Sequence, residues 1–155
     1  MGFLTNKNAL VVGVANNRSI AYGIAQALHR QGANLAFTYQ NERLQSRAEK
    51  AAEEMQSSIV LPCDVSSDVE LAGLAEGLKK HWKHVDIVIH SVAYAPADQL
   101  EGDYVSCVTR EGFRIAHDVF LYRPTILKAT ASATLIPSIA ADIMPPAYPA
   151  PSPAG

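Results

Sequence analysis

A glycine and a serine enclose a loop that could hold a phosphate group. Gly13 follows an apolar run, and Ser19 precedes a segment with helical spacing. Glycine lets the backbone turn closely at the end of a strand, and a serine at a helix start can contact a pyrophosphate together with the neighbouring amide groups. The loop does not match the pattern G-x-G-x-x-G, so these residues alone leave open a dinucleotide site and an ordinary strand–helix loop.

The residues after the second apolar run bear on which dinucleotide the loop would hold. An acidic residue at this position binds the ribose hydroxyl pair of NAD, whereas a nearby arginine holds the 2′-phosphate of NADP. Here Gln40 is neutral and can form hydrogen bonds, Glu42 would repel a phosphate, and Arg43 would attract one. The balance of these groups favours NADH.

Two further segments contain residues suited to a flat cofactor. Asp64 could accept a hydrogen bond from an adenine amino group, with Val65 against the ring, although an aspartate here could equally open a turn. The small residues at 91–93 would let a cofactor approach the backbone, and Pro96 stiffens the chain that follows. We interpret His90 as a packed strand residue rather than a catalyst.

Alternating strand-like and helix-like segments must position these residues. Ser67 followed by Glu70 is typical of a helix capping box. Repeated strand–helix units of this length predict an α/β fold, a Rossmann-like doubly wound parallel sheet with helices on both faces. For residues 8–118 we predict four parallel strands in the order 3-2-1-4. The strands are predicted at 8–14, 34–39, 59–63 and 85–91, and the helices at 19–31, 42–55 and from 67 to about 84, with Val69, Leu74 and Leu78 facing inward.

The chain changes character after Leu121. Seven of its nine prolines lie within 124–153, and only three charged residues follow Tyr122. Proline lacks an amide donor and disfavours both helices and inner strands. We therefore predict that residues 1–121 form a partial dinucleotide-binding domain, truncated after about four strands, and that 122–155 form a disordered, irregular Pro/Ala-rich tail. The abrupt change suggests a shifted reading frame or a damaged gene.

A sheet that stops at the fourth strand would leave residues 85–91 as a free apolar edge. Natural proteins block such edges with charges, prolines or bulges, and only Asp86 interrupts this run. We therefore expect the chain to be poorly soluble.

Charge and cysteine content limit the partners and the compartment. The formal charge is −2, from 13 basic and 15 acidic residues, so we expect no nucleic-acid partner and no anionic lipid partner. We expect no signal peptide before the first strand, and no apolar run is long enough to span a bilayer. Cys63 and Cys107 have neither metal-ligand nor redox spacing. These features predict reduced thiols, no metal site and a cytoplasmic location.

As a set, these residues closely resemble the NADH-dependent enoyl-[acyl-carrier-protein] reductases, a divergent group of short-chain dehydrogenases/reductases. The resemblance covers about residues 1–118. It implies that NADH is the cofactor and that the backbone around Ala95 contacts the acyl substrate. Ala93 stands where the family often has glycine. The matching segments are 1–4, 13–25, 35–40, 63–65, 90–96, 102–104 and 109–113, and the implied cofactor-binding residues are Gly13, Ser19, Ile20, Gln40, Asp64, Val65 and Val92.

The resemblance also implies an activity, the reduction of 2-enoyl thioesters held on acyl carrier protein, with NADH, in fatty-acid elongation. The family is homo-oligomeric, and the elements that form its oligomers are expected to be absent from this chain. Two alternatives stay open, a non-catalytic NAD-binding half-domain and a non-functional fragment.

No catalytic residue is assigned. The family uses a tyrosine near the substrate carbonyl and, after six intervening residues, a lysine. Tyr122 and Lys128 have five residues between them, which on a helix would leave the two side chains about 120° apart. Tyr148 has no lysine after it and lies among prolines.

Overall fold

The computed structural model describes residues 2–123 and 134–137. These residues form a five-stranded, fully parallel sheet in the order β3-β2-β1-β4-β5. The predicted order of the first four strands is therefore confirmed. The strands are β1 (Asn8–Val12), β2 (Asn34–Tyr39), β3 (Val60–Pro62), β4 (Ile87–His90) and β5 (Thr134–Pro137).

Helices connect the strands on both faces of the sheet. The predicted helices are present, but the third ends about five residues earlier than expected. None of the helices in the described part of the chain is long and apolar enough to cross a bilayer. The helices are α1 (Ile20–Arg30), α2 (Glu42–Glu54), α3 (Asp68–Lys79), α4 (Tyr104–Cys107) and α5 (Arg110–His117), with a 3-10 turn at Ala97–Gln99 and a π-helical turn at Asp118–Tyr122.

The alternation of side chains along the strands divides the core into two clusters. Ala9 and Val11 of β1 face the cluster that contains the small alanines of α1 and α2. Leu10 and Val12 face the opposite side of the sheet, where α3 packs. Because successive strand residues point to opposite faces, one apolar strand supplies both cores, which is the doubly wound arrangement.

The inward face predicted for α3 is wrong at one residue. Val69 was expected to point inward, yet it is 82% exposed. The buried residues are Leu71, Leu74 and Leu78, which recur at the spacing of a single helical face. Val69 lies two positions before Leu71 and therefore on another side of the helix.

β5 contradicts the expectation of an irregular chain after Leu121. It runs parallel to β4, with Ile87 opposite Thr134 and His90 opposite Pro137. The prediction is wrong for 134–137, and the rest of 124–155 lies outside the described residues. Most prolines of the segment lie outside 134–137, and the one proline of β5 belongs to an edge strand of the described sheet, where a missing amide donor is tolerated.

The same strand removes the basis for the expected poor solubility. β4 lies between β1 and β5 and so is not an edge of the described sheet. The edge at β3 is three residues long and ends at the exposed Pro62. Short edge strands and prolines are the features that hinder edge-to-edge association.

The carboxylate of Asp86 joins the start of β4 to the start of β1. It accepts hydrogen bonds from the Asn8 amide and from Lys7 Nζ, both at 2.8 Å. The Asp86 amide in turn donates to the Asn8 carbonyl at 2.8 Å. The Asn8 amide, followed by the Lys7 ammonium group, holds the pKa of Asp86 below its ordinary value.

Asp86→Asn is expected to lower the free energy of unfolding by about 1 kcal/mol at neutral pH. Because the folded-state pKa is depressed, the stabilisation is fully present above the unfolded pKa of about 4 and is lost as pH falls through the folded pKa. Urea unfolding at neutral pH and at acidic pH measures the difference. Asp98→Asn, at an exposed aspartate, is the matched control. A deficit of equal size at both pH values would contradict the assignment.

Candidate functional site

A cleft opens at the carboxyl ends of the strands, where the strand order reverses. β1 lies between β2 and β4. The chain runs from β1 to β2 and β3 on one side of β1 and then crosses back to form β4 and β5 on the other side. Ligands of open α/β sheets bind at such a point. The cleft has a volume of about 190 Å³ and is lined by residues 12–15, 38–40 and 91–93 together with Leu44, Cys63 and Val65.

The structure brings together five of the eight residues assigned from the sequence. Gly13, Gln40, Val65 and Val92 line the cleft, and Asp64 is joined to it by a hydrogen bond from Gln40 Nε2 to Asp64 Oδ2 at 3.3 Å. The other three do not line it. These are Ser19, just before α1, Ile20, the first residue of α1, and Ala95, beyond the cleft-lining segment after β4.

Several lining residues were not identified from the sequence. Thr38 and Tyr39 are the last two residues of β2 and come directly before Gln40. Leu44 lies in the first turn of α2, and Cys63 follows β3. Their position along the chain could have identified them, because each lies near the carboxyl end of a strand that is followed by a predicted site residue. Their side chains are ordinary core types, so residue type alone did not single them out.

Gly13 occupies a conformation and a space that other residues cannot share. Its φ is +107°, a backbone region that favours glycine. A Cβ built at this position would lie 2.2 Å from the Ser91 carbonyl oxygen. The two strand ends are close because the Ser91 amide donates to the Val12 carbonyl at 2.9 Å. Gly13 therefore lets the first loop turn directly over the end of β4.

Ser19 is the N-cap residue of α1, as predicted, but its hydroxyl does not cap the helix. Ser19 Oγ instead donates to the Asn16 carbonyl at 2.7 Å. The Ser19 amide donates to the same carbonyl at 3.1 Å, and the Arg18 amide donates to Asn16 Oδ1 at 2.7 Å. Ser19 and Asn16 thus shape the loop between Gly13 and the helix.

Asp64 performs the turn-opening role and also contacts Gln40, a residue that lines the cleft. Its Oδ1 accepts from the Ser66 amide at 2.9 Å and from Ser66 Oγ at 2.7 Å, while Oδ2 is the atom that faces Gln40. Burial alone would raise the pKa of Asp64. The Ser66 and Gln40 hydrogen bonds and the positive charge of Arg123 outweigh burial and hold the pKa below its ordinary value. At neutral pH the group is therefore an ionised acceptor.

The cap of α3 fixes the loop that carries Asp64. Ser67 Oγ accepts from the Glu70 amide at 3.3 Å, as the capping-box pattern predicts. The Glu70 carboxylate does not return to Ser67 and instead accepts from the Asp64 amide at 2.6 Å.

The Cys63 thiol, which lines the cleft, is unreactive. Burial, followed by the charges of Glu70 and Asp64, raises the pKa of Cys63 to about 12. The Cys63 thiol thus stays protonated and lacks the thiolate that nucleophilic chemistry requires.

His90 is packed inside the fold, as interpreted from the sequence. It is 1% exposed, and its Nε2 donates to the Val119 carbonyl at 3.0 Å. Burial lowers the pKa of His90, although the Val119 hydrogen bond partly offsets this.

Within residues 2–123 and 134–137, no three His, Cys, Asp or Glu side chains are grouped as metal ligands would be.

Of the three residues weighed and rejected as catalytic, Tyr122, Lys128 and Tyr148, only Tyr122 is described. It is 54% exposed on the π-helical turn, and the Arg123 guanidinium carbon lies 5.7 Å from its ring centroid. Arg123 also pairs with Asp118 at 2.9 Å and with Asp68. Lys128 and Tyr148 lie outside the described residues.

Comparison with known proteins places the whole arrangement in one family. Residues 13–143 match the family model described as enoyl-(acyl carrier protein) reductase, which extends past the limit of about 118 expected from the sequence. The NADH-dependent enoyl-[acyl-carrier-protein] reductase FabI of Salmonella typhimurium is 56% identical over 122 residues, which is 79% of this chain and 47% of that protein. Its counterpart in Escherichia coli is 51% identical over 140 residues, which is 90% of this chain and 53% of that protein.

Solved structures of the same kind of protein share the fold. The enoyl-[acyl-carrier-protein] reductase of Aquifex aeolicus superposes with a TM-score of 0.81 at 38% identity, covering 89% of this chain and 62% of that one. The reductase of Anaplasma phagocytophilum, solved in complex with NAD, gives 0.78 at 32% identity, covering 84% and 50%. The chain spans about half the length of the curated relatives it matches. It belongs to the enoyl-acyl-carrier-protein reductase family.

Proposed function

We propose that this chain supplies the NADH-binding half of a reductase that acts on 2-enoyl thioesters of acyl carrier protein in fatty-acid elongation. The observation that carries the proposal is the meeting of Gly13, Gln40, Asp64, Val65 and Val92 at one cleft. NADH is the cofactor printed in the names of the FabI relatives. We also propose a cytoplasmic location. Reduced thiols are expected of a cytoplasmic protein, and Cys63 and Cys107 are both free.

The cleft residues fit the adenosine end of the cofactor. The Gln40 carboxamide would hydrogen-bond the ribose hydroxyls, and the ionised Asp64 would accept from the adenine amino group. Val65 offers an apolar surface for the ring. The volume of about 190 Å³ is small beside the roughly 300–1,000 Å³ of sites for drug-sized ligands, so the cleft would enclose only part of a dinucleotide.

The remaining site residues would serve the other parts of the ligands. Ser19 and Ile20, at the start of α1, are proposed to face the pyrophosphate, because helix N-termini attract anions. The close backbone approach at Gly13 and Val92 would bring the nicotinamide ring to the end of β4. Bound NADH would supply a hydride to the β-carbon of the enoyl group, and the backbone around Ala95 is proposed to hold the acyl chain.

Titration of the purified chain with NADH tests the proposal. Binding, seen as enhanced NADH fluorescence and a raised melting temperature, is expected. A stably folded chain without any response to NADH would overturn the proposed function. A chain without a cooperative melting transition would instead support the alternative of a non-functional fragment.

Asp64→Ala is expected to weaken NADH binding about fivefold, which corresponds to one hydrogen bond of about 1 kcal/mol. Isothermal titration calorimetry with NADH measures the change. Ser66→Ala is the control, because it removes the Ser66 Oγ contact on Oδ1 and leaves Oδ2 in place. Unchanged binding by Asp64→Ala would remove this side chain from the site. Equal losses in both variants would assign the effect to the turn.

A further inference from the structure

A second cavity lies behind the loop that follows β1. It has a volume of about 220 Å³ and is lined by Asn16 and Asn17 of the loop, Tyr22 of α1, and residues of α2. Ala15, the residue before Asn16, lines the main cleft instead. Consecutive residues of this loop therefore border the candidate cofactor site and this cavity.

Arg47 of α2 contacts the backbone of this loop. Its Nη1 donates to the Ala15 carbonyl at 3.0 Å, and Arg47 lines the second cavity but not the main cleft. The other loop contacts described above join residues 16–19 to one another. The Arg47 contact is different in kind, because it ties the loop to a helix 32 residues further along the chain.

The direction of the Ala15 carbonyl determines the direction of the next amide group. The Ala15–Asn16 peptide is trans, as are all peptide bonds in the part of the chain that the structure describes. In a planar trans peptide the C=O and N–H groups point in opposite directions. Since the carbonyl points toward Arg47, which does not line the main cleft, the Asn16 N–H points away from Arg47.

This orientation suits an anionic ligand in two ways. It turns a carbonyl oxygen, which would repel a phosphate, away from the cleft. It also adds an amide donor to those near the start of α1, where backbone N–H groups favour negative charge. Arg47 itself does not line the cleft, so its effect on a ligand would pass through the peptide group.

We propose that Arg47 is a positioning residue, which sets the Ala15–Asn16 peptide so that the Asn16 amide donates to the pyrophosphate of the bound dinucleotide. The inference rests on the proposed function, because it requires that the cleft hold a dinucleotide. It predicts a selective defect, confined to ligands that carry a pyrophosphate.

The test compares three ligands against the full chain and an Arg47→Met variant. Affinities for NADH and for ADP are expected to fall about fivefold, the effect of one lost hydrogen bond. The affinity for adenosine, measured by displacement of NADH, is expected to stay unchanged because adenosine carries no phosphate. Lys50→Met is the matched control, since Lys50 lines the same cavity on the same helix. Its affinities are expected to stay unchanged.

The outcomes separate the possible failures. If the unaltered chain binds no NADH, the proposed function fails. If the unaltered chain binds NADH and Arg47→Met binds each of the three ligands as tightly as the unaltered chain does, the positioning role is wrong. Equal losses in the Arg47 and Lys50 variants would show a general effect of charge, and a loss for adenosine would show a general effect on the fold. Either result overturns the inference. If Arg47→Met does not fold, Arg47→Gln replaces it, with the same comparison of ligands.

Discussion

Gly13→Ala is expected to abolish detectable NADH binding and to lower the free energy of unfolding by at least about 2 kcal/mol. Two independent causes act in the same direction. The backbone at Gly13 has a φ of +107°, and an added Cβ would lie 2.2 Å from the Ser91 oxygen and 2.7 Å from the Ser91 carbonyl carbon. Both atoms belong to the backbone, so no side-chain rotation can relieve the contact.

The effect reaches the site because the clash can be relieved only by moving a strand end. Either the loop after β1 lifts or the segment after β4 retreats. Gly13, Ser91 and Val92 all line the cleft, so each movement changes the space available to the cofactor. Urea unfolding measures the stability, and NADH titration measures the binding, both on the same preparation.

Gly73→Ala provides the control within the same fold. Gly73 lies inside α3, and nothing lies within 4 Å of a Cβ built there. Alanine has the higher helix propensity, so this variant is expected to gain about 0.5–1 kcal/mol of stability and to bind NADH normally. If Gly13→Ala were as stable as the unaltered chain, the close approach of the two strand ends would be wrong.

The site residues that lie at the carboxyl ends of strands could be predicted from the sequence. In a parallel sheet every carboxyl end lies at the same edge, so a residue can be assigned once its strand is recognised. Gly13, Gln40, Val65 and Val92 were found in this way, and each lies within three residues of the end of its strand. This reasoning needs only the short apolar runs that are typical of buried parallel strands.

The features that were missed depend on contacts between distant residues. The Ser19 hydroxyl bonds to Asn16 rather than to the helix, and Glu70 reaches the Asp64 amide rather than Ser67. In each case the local motif correctly placed the residue but did not decide between two nearby partners. The contact from Arg47 to Ala15 has no local signal, because the packing of α2 beside the first loop creates it.

β5 was missed for a different reason. Composition describes a long segment as a whole, whereas a parallel strand can pair through only four residues, as β5 does. The amide and carbonyl groups of β4 would otherwise remain unpaired at an apolar edge, and satisfying them favours a short added strand. Proline content therefore limited where pairing could occur without excluding it.

The isolated 155-residue chain is expected to bind NADH but to show no detectable enoyl reductase activity. The family's chemistry requires a tyrosine near the substrate carbonyl, and general acid catalysis is typically worth about two to four orders of magnitude. Tyr122 lies on an exposed turn and is not among the residues that line the cleft. Its spacing to Lys128 is one residue shorter than the family's spacing.

Incubation with a crotonyl thioester and NADH, followed by the loss of NADH absorbance, measures the activity. Full-length FabI of Escherichia coli, assayed in parallel, shows that substrate and cofactor are competent. NADH titration of the same sample separates a failure of chemistry from a failure of binding. A chain that binds NADH can still be inactive, because the loss of substrate and cofactor positioning alone can raise the reaction barrier by about 7–11 kcal/mol. Turnover that disappears in Tyr122→Phe would assign the phenol a catalytic role, and would mean that the turn carrying it moves toward the cleft when substrate binds.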